Sequence, residues 1–223
     1  MTAYSWLFPI LGNWFATTDW SPTGLPGAAD DVTIGATGAT YTVTISSAEA
    51  AKTLTLAAAT ATLAVGSTLT LGSATSGGTL TLSAGTLDLN SGGTINGNGG
   101  TIVVNGGTFV PAGGTLSAVT YQGDLNLSTS GAALTLTSGV TVTGGVSLAA
   151  GTHLTETGGT VTISAASTNA GDVEVLSGGT LILNSDFTNS GTFGIHANTT
   201  LTVNGGFANS SVLDVDKIGR AHV

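Results

Sequence analysis

Cysteine is absent from the 223 residues, so no disulfide framework and no thiolate metal site can form. Basic side chains are almost absent: Lys52, Lys217 and Arg220 stand against twelve acids, for a formal charge of −9. A chain so poor in Lys and Arg has no patch with which to neutralise phosphates, which excludes nucleic acid as a partner. Long apolar runs are missing as well. The longest strongly apolar stretch, residues 6–11, contains Pro9 and falls far short of the roughly 20 residues a membrane helix requires, so no transmembrane helix is expected. No Lys or Arg precedes Lys52, and no classical signal peptide is visible.

What is present points to strands. The chain is 41% hydrophobic with only 7% charged residues, which separates it from disordered sequences. Thr (41 residues) and Gly (35) dominate, while the long straight side chains that favour helices are scarce. The composition is all-β.

Internal repeats set the architecture. Blocks of twenty beginning at Thr168, Thr188 and Ala208 align Asn169, Asn189 and Asn209, and also Phe187 with Phe207 and Leu181 with Leu201. Upstream the period is 21 or 22, as from Leu80 to Ile102 and from Ile95 to Leu116. Within each repeat apolar residues alternate with Thr, Ser, Asn or Asp, and Gly-rich turns separate the runs. Coils of about 20–22 residues with three short strands each predict a single-stranded β-solenoid over residues 35–216. Eight or nine coils would rise roughly 40 Å at about 4.8 Å per coil. The first 34 residues hold Trp6, Trp14 and Trp20 and three of the four prolines, and are expected to form an aromatic cap over the open end. A carbohydrate-stacking platform of exposed tryptophans is the other reading of this segment.

Residues 217–223 break the pattern. Residues 218–223 are what ATC GGA AGA GCA CAC GTC encodes, which resembles read-through into a common sequencing adapter, so a non-native tail is expected there. Without it Lys52 is the last basic side chain, and the strand edge after Asp216 stays open for end-to-end self-association.

Trp6, Gly12-Asn13-Trp14, Asp19-Trp20-Ser21-Pro22, Gly24, Pro26 and residues 31–34 together resemble the opening of bacterial β-strand-repeat surface proteins. Residues 41–49, Leu54-Thr55-Leu56 and residues 119–125 are similar to the same group. These are large, exported, adhesin-like proteins, akin to autotransporter passengers and filamentous-haemagglutinin-like exoproteins. The resemblance reaches to about Asp216 and implies a secreted or cell-surface location, with surface glycans or host and matrix proteins as partners. It carries over no catalytic residue.

Three chemical alternatives remain in view. In a polysaccharide-binding or polysaccharide-cleaving β-helix protein, Asp172/Glu174 and Asp214/Asp216, each flanking an inward Val, would offer outward carboxylates roughly 6.5–7 Å apart. Surface charge without catalysis is the expectation, and the chain is read as no enzyme. Calcium would require a G-G-x-G-x-D repeat, which is missing. His153 and His196 fall in different coils without ligand spacing, so no metal and no cofactor is expected. Ice binding would use outward Thr-x-Thr pairs such as Thr53/Thr55, Thr79/Thr81 and Thr200/Thr202, but Thr180/Ile182 interrupts that ladder. Asn169, Asn189 and Asn209 are expected at a corner as a structural ladder rather than a ligand site.

Overall fold

A strand that alternates apolar and polar residues buries one face only, and a Gly-rich corner lets the chain turn and climb onto its own previous strand. Repeating that step produces coils stacked in parallel. The computed structural model describes residues 1–216 and, as backbone only, residues 220–222. The chain divides into two units, Met1–Thr115 and Leu116–Val223, each a β-solenoid.

In the first unit one face stacks Asp31–Ile34, Thr53–Leu56, Thr79–Leu82 and residues 101–104. A second stacks Tyr41–Ile45, Ala61–Val65, Thr86–Asn90 and residues 108–111. A third stacks Glu49–Ala51, Thr68–Ser73 and residues 94–96. Every pairing here is parallel, and the inward positions form apolar columns such as Val32, Leu54, Leu80 and Ile102, all buried.

The 20–22 residue repeat holds from Asp31 to Thr53 and from Thr79 to Thr101 but not from Thr53 to Thr79. There an antiparallel hairpin, with Ser73 opposite Ser76 and Gly72 opposite Gly77, lengthens the coil. The chain then returns through Gly78, on which the next corner is stacked so closely that a Cβ at Gly100 would stand 2.1 Å from the Gly78 carbonyl oxygen. Only glycine fits that approach.

The N-terminal segment closes this unit. Ala3–Trp6 pairs in parallel with Asp31–Ile34, and Gly12–Asn13 with residues 43–44. Trp20 lies antiparallel to Trp6. The three tryptophans are buried at 0–3% exposure, so they fill the end of the core and offer no stacking platform. Asp31–Ile34, placed with the cap by the sequence, already carries buried Val32 and Ile34 and serves as a rung of the solenoid.

In the second unit the faces are equally regular. One stacks Leu125–Leu127, Val146–Leu148, Ser167–Asn169, Phe187–Asn189 and Phe207–Asn209. Another stacks Ala133–Thr137, residues 153–157, residues 172–176, Thr192–Ile195 and Val212–Val215. The third stacks Val140–Val142, residues 161–163, residues 181–183 and Thr200–Val203. Phe187 and Phe207 lie parallel with centroids 5.6 Å apart, which continues the core column.

Of the expected non-native tail, Lys217, Ile218, Gly219 and Val223 lie outside the described residues. The backbone of Arg220–His222 pairs in parallel with residues 200–202, so the edge of Thr200–Val203 is covered there rather than open. The sole helical segment among the described residues is the 3-10 turn Thr17–Asp19, and no helix is long and apolar enough to cross a membrane.

Candidate functional site

Outward positions on a solenoid inherit the register of the core, so chemistry that recurs in sequence becomes a column in space. In the first unit Thr42, Thr62, Thr86 and Thr108 stack one on another. They border a groove of about 460 Å³ lined by Leu11, Thr40, Thr60 and Ala61 together with the first three of these threonines. On the neighbouring face two further columns run side by side, Thr33, Thr55, Thr81 and Thr53, Thr79, Thr101. Asp31 heads the second column and accepts a hydrogen bond from Thr53 Oγ1 at 2.7 Å. Sequence reasoning missed these unbroken columns because the hairpin insertion hides the register between Thr53 and Thr79. In the second unit Thr160, Thr180 and Thr200 form a column, while Ile182 stands between Thr162 and Thr202 as the repeat placed it.

The asparagines at 169, 189 and 209 form a chain of amides. Asn169 Nδ2 donates to Asn189 Oδ1 at 2.8 Å, and Asn189 Nδ2 donates to Asn209 Oδ1 at 2.7 Å. Each also serves the corner: Asn169 Oδ1 accepts from the Gly171 N–H, and Asn189 Nδ2 reaches the Val212 carbonyl at 2.9 Å. Asn169 and Asn189 are buried and Asn209 is exposed. The hydrogen-bonding capacity of Asn169 and Asn189 is spent within the fold.

The acidic candidates sit on the face built from residues 172–176, Thr192–Ile195 and Val212–Val215. Asp172 Oδ2 lies 3.2 Å from His153 Nδ1, and Glu174 Oε2 is hydrogen-bonded to His196 Nε2. Asp216 Oδ2 lies 3.1 Å from His196 Nδ1. Sequence spacing did not pair the histidines with anything; stacking brings each against a carboxylate of an adjacent coil. Asp172 and Glu174 thus each have an imidazole within hydrogen-bond reach of one carboxylate oxygen. Asp214 stacks on Gly194. Its strand neighbour Val215 stacks on buried Ile195, the inward position expected for it, and is 40% exposed at the last coil of the described residues. Among the described residues no group of three or more His, Cys, Asp or Glu is arranged to hold a metal ion.

One acid escaped sequence reasoning altogether. Glu156 occupies an inward position in the column of Leu136, Val175 and Ile195, is 3% exposed, and has no hydrogen-bond partner among the described residues for either carboxyl oxygen. Its carboxyl lies where a side chain at Gly179 would be, 1.4 Å from the position of a Cβ there. Burial pushes its pKa up to about 7. Parity within residues 153–157 was the available signal, since Glu156 is two residues from inward Leu154.

Compared with protein-family models, with curated proteins and with solved structures, the chain matches none.

Proposed function

We propose that this chain is a non-enzymatic segment of a secreted or cell-surface bacterial adhesin-like repeat protein, which contacts surface glycans through the threonine-bordered groove of its first unit. The observation that supports this reading is the column Thr42, Thr62, Thr86 and Thr108 beside that groove. Hydroxyls repeated at about 4.8 Å give a polymer with its own short repeat many equivalent weak contacts, and Leu11 adds an apolar edge. End-to-end association of copies through the exposed Val212, Leu213 and Val215 belongs to the same reading.

Replacing Thr42, Thr62 and Thr86 together by Val keeps the β-branch and the strand and removes three hydroxyls. The triple variant is expected to fold normally and to lose at least tenfold in affinity for whichever polysaccharide a glycan array shows the parent chain to bind. Undiminished binding would place the contact elsewhere.

A second reading, ice binding, is favoured by the two adjacent columns Thr33, Thr55, Thr81 and Thr53, Thr79, Thr101. They form a grid of roughly 4.8 Å by 6.5–7 Å on which water can be ordered. Thermal hysteresis of the purified chain, abolished by Thr55→Lys, is the expected result on that reading. A parent chain without hysteresis removes it.

A further inference from the structure

His196 links three successive rungs of one face of the second unit. Its Nε2 meets Glu174 on the preceding coil and its Nδ1 meets Asp216 on the following one. A carboxylate oxygen only accepts hydrogen bonds, and a neutral imidazole carries a single N–H. Both contacts can be satisfied together only when both ring nitrogens carry hydrogen. We propose that the Glu174–His196–Asp216 chain is a proton-operated clamp, closed as an imidazolium between two carboxylates in mildly acidic surroundings and opened as the pH rises.

The charge environment agrees with the geometry. The hydrogen bond to Glu174 is the largest influence on His196; burial opposes it, and the charges of Glu174 and Asp216 add to it, so that the pKa is raised above its ordinary value. Of the remaining acids of this face, Asp172 stands in the column of Thr192 and is engaged by His153, while Asp214 stands in the column of Glu174, separated from it by Gly194. A folded-state pKa raised above the unfolded value means that the clamp contributes fully below about 6.5 and is lost as the pH climbs through the folded value. Glu156 acts in the same direction over a lower window. Its pKa rises from 4.5 to about 7, so its protonated form is favoured by folding and its contribution declines from the carboxylate range up through 7. The clamp must therefore be read in a background where Glu156 is silent.

The experiment uses the full chain carrying Glu156→Gln, with NMR titration of the His196 ring and hydrogen-exchange protection of residues 192–216 measured between about pH 5.5 and pH 8.5. His196 is expected to titrate above the ordinary histidine value of about 6.5. Protection of residues 212–216 should fall at least threefold across its transition, beyond the intrinsic pH dependence of exchange. Adding Glu174→Gln is expected to bring the His196 titration down towards the ordinary value and to flatten the protection profile. A His196 titration at or below 6.5 that Glu174→Gln leaves unmoved overturns the proposal, as does pH-independent protection. Because Glu174→Gln preserves size and hydrogen bonding, the test does not hinge on whether a His196 variant folds.

Discussion

Trp20→Ala is expected to destabilise the first unit by about 3–5 kcal/mol, the range for truncating a buried tryptophan. Trp20 is fully buried and meets Trp6 and Trp14 edge-on, each at 4.9 Å between ring centroids. Its Nε1 donates to the Trp14 carbonyl at 2.7 Å, a bond that the truncation leaves without a donor. The vacated volume lies at the end of the core, beside the segment that pairs with Asp31–Ile34 and residues 43–44. Collapse is therefore opposed by strands already fixed in register. Phe15→Ala is the control, since Phe15 belongs to the same segment but is 53% exposed and should change stability by less than about 0.5 kcal/mol. Denaturant midpoints of the two variants provide the comparison. A Trp20→Ala loss no larger than that of Phe15→Ala would mean that the tryptophans do not close the core.

In the second unit the largest single-residue effect outside the apolar columns is expected at Asn189. Its side chain accepts from Asn169 and donates to both Asn209 and the Val212 carbonyl, and it is fully buried. Asn189→Ala is expected to cost about 1–3 kcal/mol, the penalty for leaving buried donors and acceptors unmatched. Asn189→Asp should cost more, because a carboxylate cannot donate to Asn209 Oδ1 or to the Val212 carbonyl and would be buried among acceptors. Asn209→Ala should cost least. Asn209 is exposed, and its Nδ2 is bonded to the Ser211 carbonyl in a region open to water. Thermal midpoints that rank the three variants in any other order, or that leave all of them unchanged, would remove the structural role assigned to the ladder.

The ladder and the contact of Glu174 with His196 sit a few residues apart, yet only the first could be read from the chain. From Thr168 to Asn209 no residue is inserted, so a period of twenty in sequence is a column in space, and Asn169, Asn189 and Asn209 had to meet. The contact between Glu174 and His196 joins residues 22 apart, off the column spacing, and depends on where two side chains lean after the corners are turned. No periodicity encodes that lean.

Alternation of apolar and polar residues, a 20–22 residue period and glycine at the corners are local properties, so the sequence alone determined that the chain coils into a three-faced parallel β-solenoid with Leu, Val, Ile and Phe inside. Where the corner lengths stay constant it also determined which residues stack. The tertiary structure decided the rest. It aligned Thr53 with Thr79 across a hairpin that breaks the period, buried Glu156 against the space left open at Gly179, and set His196 between two carboxylates. Those outcomes rest on contacts between coils, and such contacts are set by hydrogen-bond register and by the room a neighbouring coil leaves rather than by the order of residues within any one of them.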